Sequence, residues 1–243
     1  GVMVCHAQIL RTIVEFGAVT GRTNASTGYP TELTQSSDGT LYGTTASTVF
    51  TVQPDGSGFA VLKWLTNSVE GRFPLGGLVL SEGTLYGTTT NGGSSDKGTV
   101  YRLKTDGSDF TVLKGFSALE GGMRTNWDGA NPHAGLVLSG NTLYGTAILG
   151  GTSGSGTVFK LNTDGTDFSV LRHASLGDGE SHAGLEVSGS TLYGTAWYGG
   201  NLHGGGVFRL NTDGTDYRWI HEFSVWEGLR TPLSKLVLSG PTL

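Results

Sequence analysis

The chain has a single cysteine, Cys5, so no internal disulfide can form and the fold must hold without covalent staples. Charge is also scarce. Only 14% of the 243 residues are Asp, Glu, Lys or Arg, and the formal net charge is −5. No Lys/Arg cluster marks a phosphate-binding footprint, so no nucleic-acid partner is expected. No apolar run approaches the roughly eighteen residues that span a bilayer, so no membrane insertion is expected. Prolines number only 6, and the glycines lack a three-residue period, which excludes a collagen-like helix. What abounds is glycine, with 42 residues. A surface poor in Lys and Glu but rich in Thr, Ser, Asn and Gly suits a bacterial protein outside the cell or on its surface.

The chain repeats itself. TLYGT begins at Thr40, Thr84, Thr142 and Thr191, and a bare Thr-Leu stands at Thr242 and Leu243; the spacings are 44, 58, 49 and 51 residues. Each unit reads as four short strands, A to D. In the third unit they are GLVLSG, TLYGT, GTVFKLN and DFSVLRHA. The aromatic of strand C always stands 5 residues before an Asp-Gly: Phe50 to Asp55, Tyr101 to Asp106, Phe159 to Asp164, Phe208 to Asp213. Asp-Gly between apolar strands predicts a tight hairpin, because glycine accepts positive φ without steric cost.

Length varies elsewhere. Strand B to C spans 15 residues from Tyr86, Tyr144 and Tyr193 but 8 from Tyr42; strand D to the next A spans 24 from Val112 and 15 from Val170. In an up-and-down sheet both variable loops lie on one edge, and loops on a rigid scaffold are where binding is carried.

Four-stranded units of this period predict an all-β, five-bladed β-propeller of antiparallel blades. One domain, 1–243, is expected, with blades at about 30–66, 74–118, 132–175, 182–224, and a last blade at 233–243 completed by 1–17. Splitting that blade removes free sheet edges. GVMVCHAQ also reads as the tail of a signal peptide, and the lack of an initiator Met reads as a fragment or processed chain.

GLVLSGNTLYGTAILGGTSGSGTVFKLNTDGTDFSVL (135–171) resembles the GloVer tandem repeat of bacterial secreted and surface-anchored proteins. The resemblance recurs at 77–113 and 184–220, with a shortened copy at 33–62. It implies a β-propeller-like, extracellular domain and carries no activity with it.

The residues offer little catalysis. A tyrosine repeated in every blade (Tyr42, Tyr86, Tyr144, Tyr193) reads as packing between sheets, with Gly43, Gly87, Gly145 and Gly194 allowing close backbone approach. TDGSD and TDGTD superficially resemble calcium loops, but two carboxylates per loop fit a hairpin better, so no cofactor or metal is expected. GGTSGSG (150–156) lacks a phosphate loop's ending and leads into a strand. Inner strands carry only Glu186, with Glu32 just before the first, so a converging glycosidase pair is missing there.

The variable loops, by contrast, gather aromatics beside polar groups. Trp127, Asp128, His133, His182, Trp197, Tyr198, His203, Trp226 and Arg230 are the candidate ligand contacts. Rings that stack on a sugar's apolar face, with polar groups for its hydroxyls, point to a non-enzymatic, lectin-like module for a glycan or cell-surface polysaccharide. A structural or adhesive surface repeat that associates with itself is the second reading. A polysaccharide hydrolase or lyase using Asp128, Asp178, Glu180 or Glu227 is the third.

Overall fold

The computed structural model describes residues 32–175, 184–224 and 236–237. The strands expected in 1–17 and nearly all of 233–243 lie outside them, as do Asp178, Glu180, His182, Trp226, Glu227 and Arg230. Among the described residues there is no helix and therefore none long enough to cross a membrane.

Four antiparallel four-stranded sheets follow one another, each in simple up-and-down order. The first comprises β1 (Thr34–Gln35), β2 (Leu41–Thr44), β3 (Thr48–Val52) and β4 (Ala60–Trp64). A small hairpin, β5 (Thr66–Asn67) and β6 (Gly71–Arg72), leads to the second: β7 (Val79–Ser81), β8 (Thr84–Thr89), β9 (Thr99–Lys104) and β10 (Thr111–Gly115). The third has β11 (Val137–Ser139), β12 (Thr142–Ala147), β13 (Thr157–Asn162) and β14 (Ser169–His173). The fourth has β15 (Glu186–Ser188), β16 (Thr191–Ala196), β17 (His203–Asn211) and β18 (Arg218–Ser224). First strands of neighbouring sheets touch, β1 against β7 and β11 against β15, as inner strands of a propeller-like array do. Glycine allows the approach: a Cβ on Gly76 would lie 2.6 Å from the Ala134 carbonyl carbon.

The Asp-Gly hairpins form as expected. In each, the glycine (Gly56, Gly107, Gly165, Gly214) has φ between 86° and 90° and donates its N–H to the residue three before it. The preceding aspartate accepts both the N–H and the hydroxyl of the Ser or Thr two residues on, at 2.6–2.9 Å. These bonds, hydroxyl first, hold the carboxyls of Asp55, Asp106, Asp164 and Asp213 below the usual aspartate range. A depressed folded-state pKa adds stability above the unfolded value of about 3.9, and that stability is lost as pH falls through the folded value. The urea midpoint is therefore expected to be insensitive to these four groups between pH 7 and 5 and to fall below about pH 4. Changing all four to Asn should flatten that acid limb. An equally steep limb in the quadruple variant would assign the loss to other groups.

Each part of the TLYGT repeat now has a task. Tyr42 packs with Leu78, Leu85 and Leu103 of the second sheet, Tyr86 with Leu136, Leu143 and Leu161 of the third, Tyr144 with Leu185, Leu192 and Leu210 of the fourth. Tyr193 is half-buried. The threonine bridges to the entry of the following sheet: Thr44 Oγ1 donates to the Gly76 carbonyl at 3.2 Å, and Thr88 Oγ1 to that of Ala134 at 3.0 Å. The glycine's role differs from the expected backbone approach. It makes room for a side chain, because Gly43, Gly87, Gly145 and Gly194 pair with Phe50, Tyr101, Phe159 and Phe208, and the ring covers the glycine. Such cross-strand rings shield a strand glycine that would otherwise weaken the sheet.

Tyr101 departs from that pattern at one atom. The ring is completely buried, and its hydroxyl has no hydrogen-bond partner. Burial pushes its pKa up. A buried, unsatisfied hydroxyl costs about 1–3 kcal/mol, and phenylalanine occupies the same place in the other three sheets. Tyr101→Phe is expected to stabilise the protein by about 1–2 kcal/mol, read as a raised urea midpoint at unchanged slope. A lowered midpoint would show that the hydroxyl has a partner in solution, such as a buried water.

Candidate functional site: the loop face

The B–C and D–A loops share one face and are tied together. Ahead of the second sheet, Arg72 and Asn91 exchange backbone hydrogen bonds at 2.8 and 3.1 Å; ahead of the third, Ala130 and Leu149 do so at 2.7 and 3.0 Å. Gly92 and Gly150 make the contact close, since a Cβ there would fall 2.4 Å from Gly71 Cα and 2.8 Å from Gly129 Cα. The B–C loops of the second to fourth sheets are closed by the same bond: Gly98 to Gly92, Gly156 to Gly150 and Gly205 to Gly199, at 2.9–3.0 Å. The Gly-Gly pairs thus set loop shape. In the second to fourth sheets that shape is common, and what diverges is the side chains it presents.

The described candidates fall on this face with unequal roles. Trp127 is 71% exposed, and its ring meets the half-buried His173 at 4.6 Å between centroids, with planes 61° apart. Burial lowers the pKa of His173. Asp128, the next residue, turns inward and is only 6% exposed. Its Oδ2 accepts from Lys114 Nζ at 2.6 Å and from the Ser117 N–H and hydroxyl at 3.0 Å each, so it braces the loop. His133 is half-buried in the same loop. Trp197 and Tyr198 are exposed on the fourth sheet's B–C loop, where Tyr198 lies 6.3 Å from exposed His203. Among the sequence candidates the structure therefore yields two described aromatic groups, Trp127 with His173 and Tyr198 with His203 beside Trp197; exposed Trp64, at the end of β4, is a further ring.

Three arrangements were not anticipated from the sequence. The last residue of each fourth strand (Trp64, Gly115, His173) and its equivalent Glu222 occupy one register position, opposite Thr48, Thr99, Thr157 and Gly206. Glu222 accepts from the Asn201 N–H at 2.6 Å and from its side-chain amide at 3.2 Å. On the second sheet's loop, Arg72 grips both oxygens of Asp96 at 2.7 and 2.8 Å and holds its carboxyl below the usual range.

The third arrangement joins the sheets. Lys63 lies over the Phe110 ring at 4.4 Å, Lys114 over Phe168 at 4.6 Å and Arg172 over Tyr217 at 3.5 Å. Each cation is on the fourth strand of one sheet, and each ring precedes that strand in the next. Lys63 also pairs with Glu70 at 2.7 Å, as Lys114 does with Asp128. A repeated bulge, with Leu62, Leu113, Leu171 and Ile220 as the extra residues, precedes each cation or its His221 counterpart. The signal was present as a spacing: a ring four residues and a basic residue eight residues after each turn aspartate.

Chemically, this face offers exposed rings and neutral hydroxyls. Glu70, Asp96, Asp128 and Glu222 each accept hydrogen bonds from a cation or an amide. Among the described residues, no three His, Cys, Asp or Glu side chains gather to hold a metal ion.

Comparisons with known proteins agree with this architecture. The crystal structure of a nidogen/laminin complex matches at TM-score 0.55 and 18% identity, covering 79% of this chain and 62% of that one. A putative TolB from Agrobacterium tumefaciens matches at 0.52 and 14% identity, covering 81% and 63%. The tricorn protease matches at 0.50 and 15% identity, covering 79% and 17%. The chain thus spans less than two thirds of each, and likeness at such identities shows the fold alone, which is β-propeller-like. No curated protein matches the chain significantly. A family profile, the Gloeobacter/Verrucomicrobia repeat, matches residues 29–243. With the fourfold TLYGT and Asp-Gly framework running through that span, the chain belongs to the Gloeobacter/Verrucomicrobia repeat family.

Proposed function

We propose that this chain is a non-enzymatic binding module of the bacterial cell surface or exterior that recognises carbohydrate through its loop face. A five-bladed ring is its proposed frame; KLVLSG at 235–240 repeats the inner-strand pattern in support. The observation that carries the functional reading is the exposure of large rings on that face, above all Trp127 at 71%. An indole so exposed, with a second ring against it, offers a sugar ring an apolar surface to stack on. The engagement of Asp96, Asp128 and Glu222 within the loops supports binding over hydrolysis.

A glycan array covering neutral, acidic and amino polysaccharides, printed at high density, is expected to show binding that Trp127→Ala abolishes or sharply reduces. An array blank at high protein concentration would sink the reading. It would leave the self-associating surface repeat as the better account.

A further inference from the structure

We infer that the loop face holds one principal subsite, at the third sheet, and that its ligand is a neutral hexopyranose. This rests on the carbohydrate reading above and narrows it.

The loops ahead of the second and third sheets share a backbone design, so their side chains can be compared position by position. Glu70-Gly71 corresponds to Asp128-Gly129: each acid meets the preceding fourth strand's lysine, and each glycine packs on a threonine, Thr89 or Thr157. Val69 therefore stands where Trp127 stands. On the fourth strands, Gly115 stands where His173 stands. The ring pair thus exists at the third sheet and not at the second. It needs two substitutions, 46 positions apart in the chain, that only the fold brings together.

His173 gives the indole a fixed support. Its ring meets Trp127 edgewise at 4.6 Å, and the B–C loop is tied to the end of its strand by Ser153, which donates to the neighbouring Ala174 carbonyl. A propped, exposed ring loses less freedom on binding than a loose one, which is how preorganisation raises affinity.

Charge chooses the sugar class. The third sheet's B–C loop, 148–156, is ILGGTSGSG and has no ionisable side chain. In the facing loop, Asp128 is matched by Lys114, and Glu120 and Arg124, one of each sign, occupy the preceding turn. The second sheet's loops instead display the Arg72–Asp96 pair, and at the fourth sheet Glu222 of β18 holds the B–C loop through Asn201. Glu120 and Arg124 leave that turn without net charge, so it favours neither a uronate nor an amino sugar. A neutral pyranose needs a stacking surface and hydroxyls, and Thr152 and Ser155 offer the latter, Ser153 being engaged with Ala174.

Isothermal titration on the whole chain tests this, with hexamers of β-linked glucose, β-linked galactose and α-linked galacturonate. A neutral hexamer is expected to bind at one per chain, weakened about tenfold or more by Trp127→Ala and about threefold by His173→Ala, with a smaller loss in Tyr198→Ala. Trp127 is exposed, so its variant should fold, and circular dichroism checks it. Tighter Trp127-dependent binding of the galacturonate would overturn the neutral class while leaving carbohydrate binding standing. Equal losses in the Trp127 and Tyr198 variants would overturn the single subsite. If no hexamer binds while the glycan array is positive, this inference falls alone; if both are blank, the binding reading falls with it.

Discussion

Replacing Lys114 with methionine is expected to cost about 3 kcal/mol, the lower end of the loss seen when one partner of a buried ion pair is removed, since Asp128 is buried but Lys114 is partly exposed. Lys114 does three things at once. Its amine meets Asp128 at 2.6 Å, lies 4.6 Å from the centre of the Phe168 ring, and packs beside Phe116 at 5.7 Å. Methionine keeps the apolar stem, so the loss is specific to the charge. Asp128 is then left 6% exposed, with only Ser117 to support its negative charge. The cation–π contact adds about 0.5–2 kcal/mol to what is lost. The double variant Lys114→Met, Asp128→Asn should recover much of the deficit, because the stranded charge is gone while Ser117 keeps an acceptor. Urea unfolding of the two single variants and the double closes the cycle. A single-variant cost below about 0.5 kcal/mol, the range of ordinary surface changes, would demote the joint to a surface contact.

Gly145→Val should cost about 3 kcal/mol, at the upper end of what overpacking a filled core entails. A Cβ at this position would stand 2.6 Å from Phe159 Cζ and 2.8 Å from Leu136 Cδ2. Neither neighbour has room to withdraw. Phe159 is completely buried against Phe116 and Phe168, at 5.3 and 5.8 Å between centroids. Strand propensity alone would favour valine over glycine, so the expected sign is set by packing. Phe159→Leu in the Gly145→Val background should restore part of the loss by freeing that space. A valine variant as stable as the parent would mean that the ring over Gly145 is held far more loosely than its burial indicates.

Much of this fold could be read from spacing. The strand order, the Asp-Gly hairpins and the shared edge of the long loops follow from period and turn chemistry, which act within a few residues. The tyrosine's packing between sheets was also legible, because a residue needed once per repeat suggests architecture. What escaped were relations between repeats. Lys114 over Phe168 joins residues 54 apart, and Trp127 against His173 joins residues 46 apart. Asp128 shows the same limit at the site. Beside Trp127 in the chain it looked like a ligand contact, but the loop bends at these two residues and its carboxylate points to Lys114. His173 was passed over for the converse reason: its strand gave no hint that a loop from the previous connection would lay an indole on it.

The cation-on-ring joints have a consequence for how such a chain can change in size. Lys63, Lys114 and Arg172 present one kind of plug, while Phe110, Phe168 and Tyr217 present one kind of socket. The three described junctions therefore speak the same chemical dialect, and each involves only adjacent units, as in linear repeat arrays. Deleting the unit between Lys63 and Phe168 would bring a lysine to a phenylalanine, as before. Duplication of the second or third sheet's unit would likewise create a junction already matched on both sides. Genetic slippage by one period leaves these joints intact, whereas a slip of a few residues separates plug from socket.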